Sequence, residues 1–200
     1  HPLVPLTLYN KYKGLCEPLL FNHTDENFTG VIFRPATVCG YSPRMRFDLS
    51  VNILTHHAIK KNKITVFGGE QLRPNLHIQD YCDAICLLIE ADKANISNQI
   101  FNVGYQNLSI NDIAKKVKKV VMEEFPDRRN LDIVRTVSDD KRSYHINSDK
   151  IKSILDFSPS RSIEDAIRDL CKEFKKDNFL DSEKNDIYYN VKRIKNLNIK

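Results

Sequence analysis

Phe28-Thr29-Gly30-Val31-Ile32-Phe33-Arg34-Pro35-Ala36-Thr37-Val38-Cys39-Gly40 is the stretch on which the fold turns. Residues 28–33 form a short apolar run, which suits a strand buried on both faces. The run passes into Arg34-Pro35 and on to Gly40, a strand-end loop. A doubly covered strand needs helices around it, and both flanks supply helical patterns.

Upstream, Thr7 can cap a helix over residues 8–20, with Leu8, Tyr12, Leu15, Cys16 and Leu19 at inward spacing and Pro18 near its end. Downstream, Asp48 is read as the cap of a helix to about Lys60, and Ile64-Thr65-Val66-Phe67 as a strand stopped by Gly68-Gly69. Leu76-His77-Ile78 is a brief extended piece, after which Asp80 is read as the cap of a helix turning Ala84, Ile85, Leu88 and Ala91 inward. Ile100-Phe101-Asn102-Val103-Gly104 is a further strand, and Ser109-Ile110-Asn111-Asp112 opens a helix to about Phe125. Residues 131–134 read as a strand, residues 148–155 as a short helix opened by Ser148, and residues 162–175 as a helix opened by Ser162. The polar stretch from Asp177 onward reads as a frayed or partly ordered tail. Helices alternate with single short strands, so the class is α/β. The strands are too few for a complete doubly wound sheet.

The chain has 200 residues, enough for one domain with a real core or a large part of a bigger one. Hydrophobic content of 41% and charged content of 28% read as soluble and globular. The net charge of +5 is mild, and no nucleic-acid-binding motif accompanies it. The five cysteines, Cys16, Cys39, Cys82, Cys86 and Cys171, form no zinc pattern, and they read as reduced apolar residues of a cytoplasmic protein. His56-His57 has no ligand partner at helical spacing, so no metal is expected. No apolar run approaches the roughly 20 residues of a membrane span, and none is expected to meet a membrane.

Tyr9 and Lys13 stand four residues apart, on one helix face. An ammonium beside a phenol favours the phenolate, which is acid–base equipment for interconverting an alcohol and a ketone. Tyr188 and Lys192 repeat the spacing, so the pair gains its meaning from its surroundings.

Those surroundings form an ordered series. Pro5-Leu6-Thr7-Leu8-Tyr9-Asn10-Lys11-Tyr12-Lys13 resembles the catalytic helix of the extended short-chain dehydrogenase/reductases that act on nucleotide sugars. Residues 33–40 resemble that family's strand and loop beside nicotinamide and sugar. Residues 64–69 through 73–80 resemble its nucleotide-binding stretch, residues 101–104 the strand that follows, and Lys141-Arg142-Ser143-Tyr144 its basic turn. The resemblance implies a cofactor, NAD or NADP, and a nucleotide-diphosphate sugar as substrate. It implies Tyr9 as general acid/base and Lys13 as its charge partner and ribose contact. Pro35 would pack near the nicotinamide, with Thr37 and Asn52 near the sugar. Arg73 and Arg142 would pair with the diphosphate, a role that suits the guanidinium fork. Arg34 is read as a structural ion-pair donor at the strand end. Arg44-Met45-Arg46 is read as either a second phosphate clamp or a basic loop face, and His23-Thr24-Asp25-Glu26 as loop.

The implied fold is the C-terminal part of a Rossmann-like doubly wound parallel sheet plus a small α/β substrate-binding cap. Residues 1–45 would be a remnant of the dinucleotide-binding domain with the catalytic helix. Residues 46–176 would form the substrate region interleaved with the last Rossmann strand, and residues 177–200 a polar basic tail. Only eight residues precede Tyr9 and none is glycine, so the expectation is an N-terminally truncated chain or one half of a split enzyme. Such a chain would expose apolar sheet surface and self-associate, with a homodimer expected of the full-length enzyme. The implied reaction is epimerisation or 4-ketosugar reduction. The alternatives are a nucleotide-sugar 4,6-dehydratase and a non-catalytic nucleotide-binding or pairing module.

Overall fold

The structure, a computed structural model, describes residues 4–128, 130–137 and 142–197. Helix α1 (Leu8–Asn22) starts where Thr7 accepts a hydrogen bond from the Asn10 amide at 3.2 Å, the bond that satisfies a free N–H of the first turn. Strand β1 (Val31–Pro35) follows, then β2 (Thr37–Cys39), α2 (Ser50–Lys61), β3 (Lys63–Phe67) and β4 (Leu72–His77). Next come α3 (Ile78–Glu90), α4 (Lys93–Ile96), β5 (Gln99–Val103), β6 (Gln106–Ser109) and α5 (Ile110–Glu124). The order closes with β7 (Asp132–Thr136), α6 (Asp149–Leu155), α7 (Ile163–Lys175), a 3-10 turn (Asp186–Tyr188) and α8 (Asn190–Asn196).

Among the described residues the strands form three small sheets. β1 pairs with β5 in parallel, Val31 opposite Gln99 through Pro35 opposite Val103. β2 pairs in parallel with β4, which pairs antiparallel with β6. β3 and β7 form a second parallel pair. Parallel pairs need crossover helices, and α2, α3 and α5 supply them.

Two apolar cores result. The larger packs α2, α5 and α7 on β3, through Val51, Leu54, Ile113, Val117, Ile167 and Leu170 among others. These residues recur at three- and four-residue steps, which puts one stripe of each helix inward. The smaller core lies between β1–β5 and the helices α3 and α6, around Phe101, Val103, Ala84, Leu88 and Ile151.

Several expectations are corrected by the packing. Asp48 does not cap α2: Leu49 holds the cap position and makes no side-chain bond. The Asp48 carboxylate instead accepts from Arg46 Nε at 2.9 Å and from the Asn190 backbone amide at 3.0 Å. Asp80 lies one turn inside α3, whose cap is His77, with its side chain accepting from the Gln79 amide at 3.1 Å. Buried Asp80 accepts from the Ser160 and Arg161 amides and from Arg161 Nη1, pinning the loop before α7. The stretch after Asp177 is not frayed through its length, because Phe179, Ser182 and Tyr188 are buried. Their aromatic and hydroxyl groups find Phe47 and His56, partners 126 or more positions away that no local pattern announces.

Candidate functional site

The site builds from α1 outward. Tyr9 and Lys13 lie exposed on this helix, Tyr9 at 71%. Among the described residues α1 buries no side chain, so the inward face expected of Leu8, Tyr12, Leu15 and Leu19 points to solvent. The helix is tied down near its C-terminal half by Glu17, whose carboxylate takes both Nε (2.7 Å) and Nη2 of Arg34. This fork places α1 across the end of β1 and agrees with the structural reading of Arg34. Lys13, Asn10, Gly14, Glu17 and Arg34 line one cleft of about 230 Å³.

Pro35 ends β1, and the Ala36 amide donates to the Val103 carbonyl at 2.7 Å. The chain then turns directly into β2, so Pro35 and Thr37 are placed by one continuous backbone. At the end of β2, Gly40 takes φ +103°, a conformation that favours glycine. Its amide donates to Asn52 Oδ1 at 3.1 Å, while Asn52 Nδ2 donates to the Arg46 carbonyl at 3.0 Å. Asn52 is only 3% exposed, and its amide clasps both ends of the 40–46 loop. Arg46 pairs with Asp48, and Arg44 donates to Asn190 Oδ1 at 2.8 Å. Burial and the Asp80 charge push the neighbouring Cys39 thiol up to about 12, so it is no nucleophile. Asp25, in the His23–Glu26 tetrapeptide, caps its own turn by accepting from the Asn27 and Phe28 amides.

The second half of the site is a pocket of about 190 Å³ lined by Ser50, Ile53, Leu54 and His57 of α2, with Thr65, Phe67, Gln71, Arg73 and Ile110 opposite. It includes Ser50, the first residue of α2, a helix whose cap position makes no side-chain bond. Uncapped N–H groups and the helix dipole favour an anion there. Arg73 Nη1 is braced by the Leu72 carbonyl at 2.9 Å and the Arg142 carbonyl at 2.5 Å, and its guanidinium lies 4.9 Å from the Tyr144 ring centroid. The structure thus joins Arg73 to the Arg142 backbone, while only Arg73 lines the pocket; Lys141 lies outside the described residues. Phe67 offers an open ring face at 56% exposure. Gln71 shapes the turn beneath it, accepting from the Gly69 amide at 2.6 Å and donating to the Phe67 carbonyl at 2.7 Å. Gly69 has φ +131°, and a Cβ there would overlap the Asn111 amide. Burial first, and the Lys61 charge second, hold His57 below the usual imidazole range.

One sheet, β2–β4–β6, links Thr37 of the first half to Arg73 of the second. Thr37 pairs with Asn75. Arg73 lies two residues before Asn75 on β4, a step of roughly 7 Å along a strand. Sequence reasoning missed the α2 wall of the pocket. Its signal was present: Ser50, Ile53, Leu54 and His57 follow the 0, 3, 4, 7 spacing of one helix face. Among the described residues no group of three or more His, Cys, Asp and Glu is placed to hold a metal ion, and no helix is long and apolar enough to cross a membrane.

Known proteins resemble this chain in sequence and in fold. The model of the NAD dependent epimerase/dehydratase family matches residues 1–104. The UDP-glucose 4-epimerase of Mycoplasma genitalium is 32% identical over 133 residues, covering 64% of this chain and 36% of that enzyme. The solved UDP-glucose 4-epimerase of Thermotoga maritima superposes with a TM-score of 0.73 at 22% identity, over 88% of this chain and 55% of that one. The dTDP-glucose 4,6-dehydratase of Bacillus anthracis, solved with NAD, gives 0.75 at 18% identity, over 92% and 57%. UDP-glucuronic acid 4-epimerase from Bacillus cereus, solved with UDP-glucuronic acid and NAD, gives 0.70 at 25% identity, over 86% and 54%. The chain spans about a third of the length of the Mycoplasma enzyme and little more than half of these solved chains.

Proposed function

This chain belongs to the NAD dependent epimerase/dehydratase family, and from that premise we propose that it serves NAD(P)-dependent epimerisation or 4-keto reduction of a nucleotide-diphosphate sugar. The observation that carries the reading is a series of links: the Glu17–Arg34 fork ties the Tyr9–Lys13 helix to β1, β1 leads through Pro35 to Thr37, and Thr37 pairs with Asn75, two residues from Arg73 in the pocket.

The nucleoside diphosphate would occupy that pocket, its base against Phe67 and its phosphates toward Arg73 and the first turn of α2, with Arg142, whose carbonyl braces Arg73, reaching them from outside its lining. Binding there holds the sugar in place, because remote contacts orient the reacting carbon. The Tyr9 phenolate would take the proton of the sugar hydroxyl, and the Lys13 ammonium would stabilise that phenolate. The Thr37 hydroxyl would align the hydroxyl being oxidised.

The fit to the cofactor is partial. Lys13, Tyr9 and Pro35 suit its ribose and nicotinamide end. None of the six glycines, Gly14, Gly30, Gly40, Gly68, Gly69 and Gly104, falls at pyrophosphate-loop spacing, so residues other than these 200 would hold the pyrophosphate. When bound, the nicotinamide accepts and returns the hydride. Two of the solved relatives hold NAD, and NADP remains the alternative. The working enzyme is proposed to be a cytoplasmic homodimer.

Titration calorimetry of the chain with uridine diphosphate tests the pocket. Wild type should bind, and Arg73→Gln should bind about tenfold more weakly, the loss of one charge-assisted contact. Equal binding by both would remove the pocket from the reading. Tyr9→Phe in the complete enzyme should abolish turnover while leaving uridine diphosphate affinity unchanged.

A further inference from the structure

We propose that residues 179–190 form a strap that positions helix α2, so that strap closure and nucleoside-diphosphate binding are coupled. The inference rests on reading the α2–Arg73 pocket as the nucleotide site.

One side of α2 makes four of the pocket's contacts, through Ser50, Ile53, Leu54 and His57. The strap holds the same helix from elsewhere. Just before its N-terminus, the Phe47 amide donates to the Tyr188 carbonyl at 2.9 Å, and the Asn190 amide donates to Asp48 Oδ2 at 3.0 Å. Arg44 adds its bond to Asn190 Oδ1. At mid-helix, His56 Nε2 lies 3.0 Å from Ser182 Oγ, with His56 at 1% exposure and Ser182 at 2%. The Phe47 ring sits 5.2 Å from both the Phe179 and the Tyr188 rings. Tyr189 closes the strap on itself by donating to the Ser182 carbonyl at 2.9 Å.

His56 and His57 are neighbours on one helical turn, so a strap that seats His56 also fixes the angle at which His57 meets the pocket. Phe47 and Asp48 lie three and two positions before Ser50, so the same strap sets where the first turn of α2 points. A rigid helix cannot move at one face alone. Ligand held by Ser50 and His57 therefore favours the closed strap, and linkage requires the closed strap to favour the ligand by the same factor. Ser182, Tyr188 and Asn190 are positioning residues in this scheme, since none lines the pocket.

Amide hydrogen exchange and calorimetry on the whole chain, with uridine diphosphate as the probe, test the coupling. Two gentle variants open the strap. Ser182→Ala removes the His56 bond. Asn190→Pro removes both the amide that reaches Asp48 and the Oδ1 that takes Arg44, at the first position of α8, where proline is tolerated. Tyr189 before it is already extended, at φ −134° and ψ 100°, as a residue preceding proline must be. Nucleotide should slow exchange at residues 182–190 in wild type. Each variant should weaken nucleotide binding by about fivefold or more, with exchange at Val117 and Val120 in α5 unchanged. Equal affinity in all three proteins, with strap exchange indifferent to nucleotide, would overturn the coupling and leave the pocket reading intact. One effect without the other also overturns it, because linkage is reciprocal. No nucleotide binding to wild type would sink the pocket reading, and the coupling with it.

Discussion

Acidification from pH 7 to pH 5 should destabilise this protein chiefly through one side chain, His56. The imidazole is buried among Phe47, Phe174 and His57, with Nε2 on Ser182. Burial, then the charges of His57, Lys61 and Lys60, push its pKa down from 6.5 to about 4. The unfolded chain therefore binds a proton that the folded chain refuses, and stability rises with pH across that interval. It is fully present above about 6.5 and is lost as pH falls toward 4. The stability lost by pH 5 is about 2 kcal/mol, a shift of about 1 M in a urea midpoint. His57 titrates in the same direction and adds to the loss. The depressed carboxylates Asp83, Asp112, Asp165 and Glu173 lose their contributions only at lower pH, so the window isolates the histidines. Urea melts followed by circular dichroism at pH 7 and pH 5 make the measurement. His56→Gln keeps a partner for Ser182 but cannot titrate, and most of the pH slope should disappear. A wild-type midpoint that does not move, or an equal slope in the variant, would refute the reasoning.

Glu17→Gln should loosen α1 alone, because the helix buries no side chain and its Arg34 fork is its charged anchor; faster exchange of α1 amides, by roughly 1–2 kcal/mol, with β5 unaffected, is the expected pattern. Gly69→Ala should cost about 1–3 kcal/mol and weaken uridine diphosphate binding, since positive φ and the Asn111 amide both resist a Cβ; an unchanged melting temperature would contradict this. Ser162→Ala removes one side of the α7 capping box and should cost about 1 kcal/mol in thermal denaturation without touching nucleotide affinity.

Much of the architecture was legible from local chemistry. The 28–33 run announced β1 from Val31 onward, though exposed Phe28 lies outside the strand; Thr7 announced the start of α1, and Ser109 and Ser162 announced α5 and α7, because a cap or an apolar run states its role within a few residues. The Asp48 and Asp80 caps misled for the same reason in reverse. A carboxylate before an apolar run is a cap only if nothing stronger competes for it. Arg46 with the Asn190 amide, and the Arg161 loop, compete successfully. The inward face assigned to α1 failed because periodicity shows that a helix has an apolar side, not what covers it.

The amino-acid order alone settled the α/β class, the family-like series of motifs and the placing of Tyr9 and Lys13 four residues apart on one helix. Each of these depends on neighbours within a turn or a strand. Tertiary structure alone decided that Asn52 clasps a loop, that Arg73 and Arg142 meet, that four α2 residues wall a pocket, and that the C-terminal stretch straps that helix. These contacts join positions as much as 146 residues apart. Their partners are chosen by where buried groups can find hydrogen bonds, which no short window of sequence contains.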